Sequence, residues 1–190
     1  RGDLDLSLEL NKSDNQLNIN AKTREGKFEL EVPNSFINLK DFSPVLGYDL
    51  QGKGLLDISI QPSSSGPILK MRNDSNKFGI NGYSFDKLKS EIELNFDTNN
   101  LTLKKIFATS GKANLFARGE VDLKAKEINA TYAVKEASFS EVKRVLAPML
   151  KDVSITTNEI HGLWDLNGNL SGKTEIEGLV VDGKFKGKNN

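Results

Sequence analysis

The stretch DLDLSLEL, residues 3–10, decides the fold. Leucine occupies every second position, and Asp, Ser or Glu occupies each position between, so the apolar residues repeat with a period of two. Side chains that alternate in this way point to opposite faces of a β-strand. The stretch therefore predicts a strand with one apolar face and one polar face.

The same alternation recurs along most of the chain and predicts roughly a dozen short strands. Their apolar positions are Leu17/Ile19/Ala21, Phe28/Leu30/Val32, Leu56/Ile58/Ile60, Ile92/Leu94/Phe96, Ala113/Leu115/Ala117, Val121/Leu123/Ala125, Ile128/Ala130/Tyr132/Val134 and, less regularly, 160–170. Clusters of Asn, Asp, Gly and Ser at 13–15, 24–26, 73–76 and 97–100 predict tight turns. Because such connections are too short for helical crossovers, consecutive strands are predicted to be antiparallel neighbours.

One stretch changes the period. From Phe139 to Leu150 the apolar residues are spaced three or four apart, which predicts a short amphipathic helix that Pro148 ends or kinks. Ser138 and Glu141 have the spacing of a capping box at its start. A fainter copy of this pattern at 35–46 suggests repeat units 35–137 and 138–190, the second incomplete, within a single β-rich segment, 1–190, of a longer protein.

Composition excludes several classes of function. Lys+Arg and Asp+Glu number 26 each, so no basic field favours nucleic acid. Cysteine is absent, and the single histidine, His161, has no companions spaced for a metal site or a catalytic triad. The sequence therefore predicts a protein that is not an enzyme, with no cofactor, no metal and no catalytic residue. No apolar run approaches the length of a membrane span, and the N-terminus lacks a signal-peptide pattern, so any anchor is expected outside this segment.

The predicted sheet must cover its apolar face. It can pack on a second sheet, close on itself, or curl into a trough. The uninterrupted meander favours a mostly β fold with an elongated antiparallel sheet curled into a trough and one or two short amphipathic helices; a β-sandwich is the alternative. Trp164 fits either a groove position or ordinary core packing. The predicted groove lining is Leu4, Leu6, Leu8, Leu10, Ile19, Leu30, Ile58, Ile60, Ile92, Leu94, Leu115, Leu123, Ile128, Trp164 and Leu166.

Two motifs resemble the AsmA-like superfamily of bacterial envelope proteins, especially its TamB-type members. The first is LxxFxPVL at 39–46 leading to GxGLLDI at 52–58. The second is VxxVLxPML at 142–150 leading to GLWDLNGNLSG at 162–172. The resemblance implies a long periplasmic protein of a Gram-negative-type bacterium, anchored in the inner membrane, with a β-taco trough that serves outer-membrane biogenesis.

Three functional hypotheses follow. The resemblance and the apolar stripe together favour a lipid conduit, in which the groove carries phospholipid acyl chains between the inner and outer membranes. The second hypothesis is a chaperone-like surface that assists the assembly of an outer-membrane barrel protein, which would then be a partner. The third is a purely structural β-sandwich with a dry core.

Overall fold

The computed structural model describes residues 3–12, 14–141, 162–175 and 178–188. Twelve strands in these ranges form one open, curled antiparallel sheet. The strands are β1 Leu4–Lys12, β2 Asn15–Arg24, β3 Lys27–Asn38, β4 Leu50–Gln61, β5 Ile68–Ile80, β6 Tyr83–Ser84, β7 Lys87–Asn95, β8 Asn100–Ser110, β9 Ala113–Asp122, β10 Glu127–Ser138, β11 Leu163–Lys173 and β12 Leu179–Lys188. The predicted mostly β meander is confirmed.

Each strand of the main path pairs with the next one in the chain. The order is β1-β2-β3-β4-β5-β7-β8-β9-β10-β11-β12, with the two-residue β6 paired to β5 alone. Among the described residues there is no second sheet, so the sandwich alternative is not what forms. The strands are also longer than the alternation patterns suggested, at nine to thirteen residues apart from β6.

Two predicted boundaries are wrong. Residues 73–76 lie inside β5 and not in a turn. Their polar side chains are satisfied within the sheet, since the hydroxyl of Ser75 donates to Oδ1 of Asn73 at 2.5 Å and Asp74 pairs with Lys89 at 2.7 Å. The stretch 121–125 is not a separate strand, because β9 continues to Asp122 and Leu123 lies in the following turn.

Among the described residues, helical segments follow β3 and β10. A 3-10 turn, Leu39–Phe42, and a short α-helix, α1 Ser43–Leu46, connect β3 to β4. The fainter helical pattern begins at residue 35 in the sequence, but Ser35 lies in β3 and is fully buried. After β10 a second helix begins at Phe139. The residues that the pattern predicts to continue this helix, including Pro148, and His161 lie outside the described residues.

The strands that precede these two helices share one structural feature. Each preceding strand has a bulge whose left-handed residue is Asn34 (φ 45°) in β3 and Glu136 (φ 57°) in β10. The amide of Asn34 donates to Oδ1 of Asp57 at 2.5 Å, and the amide of Glu136 donates to Oδ1 of Asp165 at 3.0 Å. The two aspartates occupy the matching positions of GLLDI and GLWDL. This similarity supports a structural repeat; the proposed limits of the repeat units stay a prediction.

The capping box at the second helix is confirmed. The amide of Ser138 donates to Oε2 of Glu141 at 2.7 Å, and the amide of Glu141 donates to the hydroxyl of Ser138 at 3.2 Å. Oε1 of the same carboxylate accepts the amide of Lys112, in the turn between β8 and β9, at 2.7 Å. Glu141 therefore ties the start of the helix to a neighbouring turn.

Replacing Glu141 with Gln is expected to lower the free energy of unfolding at neutral pH by about 1 kcal/mol. Partial burial opposes ionisation of Glu141, but the hydrogen bonds from Ser138, Lys112 and Ala113 outweigh it and lower the pKa of this carboxyl. Since the folded pKa lies below the unfolded one, this stabilisation is present above the unfolded value of about 4.5 and is lost as pH falls through the folded pKa.

Denaturant unfolding across this pH range measures the effect. The difference between Glu141→Gln and the wild type should shrink toward zero in acid. Glu120→Gln, at an exposed position of β9, is the matched control and should leave stability within about 0.5 kcal/mol at every pH. A loss for Glu141→Gln that stays constant with pH would contradict the role given to the ionised carboxylate.

Candidate functional site: the lining face of the sheet

One face of the sheet carries an unbroken apolar row from the first strand to the last. Directly opposed residues of an antiparallel pair lie on the same face, so the strand register traces this row through eleven strands. Row 1 runs through Leu6, Ala21, Leu30, Ile60, Leu69, Leu94, Leu101, Val121, Ile128, Gly172 and Leu179. We call the face that carries row 1 the lining face.

A second row lies beside the first, two residues further along each strand. Row 2 runs through Val32, Ile58, Met71, Ile92, Leu103, Gly119, Ala130, Leu170 and Val181. Leu8 and Ile19 oppose each other on the same face in β1 and β2. At about 6.6 Å between rows and about 4.8 Å between strands, the two rows form a strip roughly 48 Å long. No member of either row is charged.

On the opposite side of the sheet, the row that lies between rows 1 and 2 is mostly polar or charged. It runs through Ser7, Asn20, Glu31, Ser59, Lys70, Glu93, Thr102, Glu120, Asn129, Ser171 and Val180. Cross-strand ion pairs cover this outer face, among them Lys104 with Glu93 at 2.5 Å and Arg72 with Glu91 at 3.2 Å. Hydrogen bonding to Lys89 is the main cause that lowers the pKa of Asp74 on the same face.

The lining face is only partly sheltered from solvent. Val121 and Ala130 are buried, but Met71, Ile92 and Leu103 near the middle of the sheet are half-buried. At the two ends the exposure is larger, with Leu6 at 52% and Val181 at 61%. Within the described residues nothing packs across these rows as a second layer, so apolar surface remains accessible along the strip.

The lining face becomes more polar toward the helix-bearing end of the strands. The next row contains Ser35, Asn73 and Ser90 among its residues, and these polar groups are held inside the sheet. The Ser35 hydroxyl accepts a hydrogen bond from the backbone N–H of Asn18 at 3.0 Å. The side-chain amide of Asn73 donates to the backbone carbonyl of Leu88 at 3.5 Å. The continuous apolar strip is therefore rows 1 and 2.

In the row beyond row 2, toward the helix-bearing end, Tyr132 of β10 is followed by glycines in β11 and β12. Gly168 lies between Tyr132 and Gly183 in the register, and the Tyr132 hydroxyl reaches across to donate to the carbonyl of Asp182 at 3.3 Å. Desolvation, followed by the nearby Asp182 charge, raises the pKa of Tyr132. Trp164 stands opposite Ala137 and Gly187. The tyrosine thus covers a backbone surface that the glycines leave bare.

The structure brings together almost all of the predicted lining residues. Leu6, Leu30, Ile60, Leu94 and Ile128 are in row 1, and Ile58 and Ile92 are in row 2. The positions Leu4, Leu8, Leu10, Ile19, Leu115, Trp164 and Leu166 share their face. Leu123 is the exception, because it lies in the turn beyond β9, where its amide donates to the carbonyl of Asn99 at 2.9 Å. Residues that the patterns missed include Leu69, Met71, Leu101, Leu103 and Leu170.

Concavities also occur on the outer face. One, of about 1170 Å³, is lined by Phe36, Leu55 and several lysines, and another, of about 500 Å³, is lined mainly by charged residues that include Arg72 and Glu91. Among the described residues no group of three His, Cys, Asp or Glu side chains is arranged to hold a metal ion. No described helix is long and apolar enough to cross a membrane.

Comparisons with protein-family models, curated proteins and solved structures gave no match for this chain.

Proposed function

We propose that the lining face holds the acyl chains of phospholipids, and that this chain is a non-enzymatic periplasmic segment of a protein that carries lipid between the inner and outer membranes. The observation that carries the proposal is the uncharged strip of rows 1 and 2, in which row 1 runs without a break through eleven strands and much of the apolar surface is accessible to solvent. An apolar strip that remains accessible to solvent is suited to bind apolar ligands.

The dimensions of the strip fit an acyl chain. One leaflet of a bilayer is about 15 Å of hydrocarbon, so an acyl chain lying along the rows would span about three strands. Covering about ten methylenes contributes roughly 8 kcal/mol before the cost of association. Because the rows repeat across the sheet with similar chemistry, a chain can move along them without meeting a buried charge, while its phosphate stays at the open side.

Photo-crosslinking tests the proposal. A photo-reactive phenylalanine analogue at Met71, in row 2, should form a lipid adduct when the protein is irradiated with phosphatidylethanolamine vesicles. The same analogue at Lys70, the adjacent residue on the outer face, is the matched control and should give little adduct. Mass spectrometry measures both. Equal labelling at the two positions would overturn the proposal. In cells, capture of polypeptide at Met71 in place of lipid would favour the chaperone-like alternative.

A further inference from the structure

The outer-face concavity of about 1170 Å³ lies at a bulge between β4 and β5. Gly52 of β4 is opposite two residues of β5, Lys77 and Phe78. A Cβ atom at Gly52 would lie 2.9 Å from the carbonyl oxygens of Asn76 and Lys77, so the close approach of the two strands requires glycine here. Lys77 has a left-handed backbone, with φ 52°. Because a bulge redirects the side chains beside it, Lys77 lines the concavity.

The apolar part of the lining consists of two side chains. Phe36 of β3 and Leu55 of β4 oppose each other in the register and are 40% and 49% exposed. Their neighbours in the same outer-face row are Gln16 and Asp74, so the apolar pair is isolated on a polar face. Two side chains are enough to cover a short hydrocarbon tail. They offer far less area than the ~800 Å² that each partner buries in a typical protein–protein interface.

Positive charge surrounds the apolar pair. The charged residues of the lining are Lys40, Lys53, Lys77, Lys87, Asp49 and Asp74. Lys53 pairs with Asp14 at 2.6 Å, and Asp74 pairs with Lys87 at 3.4 Å and with Lys89 at 2.7 Å. With these two outside partners included, the group has five lysines and three aspartates, so its net charge is +2 at neutral pH.

Two of the lysines have no ion-pair partner in the part of the chain that the structure describes. They are Lys40, in the 3-10 turn after β3, and Lys77, at the bulge, and both are exposed. Side-chain amides of Asn38, Gln51 and Asn76 line the same concavity and can donate hydrogen bonds. The concavity therefore combines a small apolar surface, uncompensated positive charge and neutral hydrogen-bond donors.

We propose that this concavity binds an anionic amphiphile, with a hydrocarbon tail against Phe36 and Leu55 and an anionic head between Lys40 and Lys77. The head is a phosphate monoester or a carboxylate, since ammonium groups and amide N–H groups bind both anions. A site for an inorganic anion would not need the exposed apolar pair, and a site for a neutral lipid would not need the lysines. The concavity is on the opposite side of the sheet from rows 1 and 2, so this binding does not depend on the proposed lipid strip.

Photo-crosslinking from within the concavity tests the site in the full 190-residue chain. A photo-reactive phenylalanine analogue at Phe36 should form an adduct with decyl phosphate that is kept below its micelle concentration. The adduct yield at increasing ligand concentration gives an apparent affinity. The same analogue at Phe116, which is 43% exposed on the outer face and lies outside the concavity, is the control and should give little adduct.

Charge reversal tests the role of the lysines. Lys40→Glu with Lys77→Glu should weaken the apparent affinity for decyl phosphate at least tenfold. Lys70→Glu with Lys105→Glu makes the same change of charge at two exposed lysines outside the concavity and should leave the affinity within twofold. Lipid labelling at Met71, in row 2, should be unchanged in both variants. The lipid strip and the outer-face site can therefore fail independently.

The choice of ligand identifies the head group. Whichever of decyl phosphate and decanoate binds more tightly identifies a lipid phosphate or a fatty-acid carboxylate as the natural chemistry, and both results support the site. Decanol that binds as tightly as the two anions, equal affinity in the two charge variants, or little adduct at Phe36 would overturn the inference. If an oligoglutamate peptide labels Phe36 and neither anion does, the concavity contacts an acidic protein and the inference is wrong.

Discussion

Replacing Leu101 and Ile128 with lysine is expected to reduce binding of a fluorescent fatty acid by tenfold or more. Both residues are in row 1, on either side of the buried Val121. An acyl chain lying along the row would have to displace water from two ammonium groups, and a desolvated charge without a partner costs several kcal/mol. Long lysine side chains can turn toward solvent and recover part of this cost, so two substitutions are combined.

The adjacent residues provide a matched control. Thr102 and Asn129 follow Leu101 and Ile128 in the same two strands, face the opposite side, and flank Glu120. Thr102→Lys with Asn129→Lys adds the same charge to the same strands and should leave fatty-acid affinity unchanged. Circular dichroism checks that both proteins keep their strand content. Equal loss of affinity in the two variants would show that added charge, and not the apolar row, controls binding.

Much of the sheet could be predicted from the sequence because its strands bury only one face. A half-buried strand must alternate, and the alternation of residues 3–10 or 128–134 is visible without any knowledge of partners. The short Asn- and Gly-containing turns then fix antiparallel neighbours. The openness of the lining face could not be obtained in this way, since an apolar stripe has the same pattern in a dry core and in a groove.

The missed lining residues have a physical explanation. In β8 the bulge at Lys104 and Lys105 inserts an extra residue between Leu103 and Ile106, which shifts the alternation out of phase within one strand. In β5 the polar residues 73–76 resemble a turn, but their side chains form hydrogen bonds and ion pairs inside the sheet. Local composition predicted a chain reversal there, and cross-strand partners outweighed it.

Gly168→Ala is expected to destabilise the protein by about 3 kcal/mol, the largest effect we predict for a single small substitution. A Cβ atom at this position would overlap the carbonyl oxygen of Asp182 in β12. That oxygen belongs to backbone and also accepts the Tyr132 hydroxyl, so it cannot move without disturbing both β12 and the tyrosine that crosses the glycines. The conflict is steric, because the backbone at Gly168 is not in the left-handed region.

Urea unfolding of Gly168→Ala and Asn167→Ala measures this effect against a neighbour in the same strand. Asn167 is exposed on the outer face, where a smaller side chain meets no obstruction, so its replacement should change the free energy of unfolding by less than about 0.5 kcal/mol. If the bare glycine surface is required for the last two strands to approach, Gly168→Ala should also raise hydrogen exchange selectively in β11 and β12. Similar stability for the two variants would mean that β12 can shift away from β11 at little cost. The lining face would then be adjustable at this end of the sheet, where Gly168, Gly183 and Tyr132 shape it.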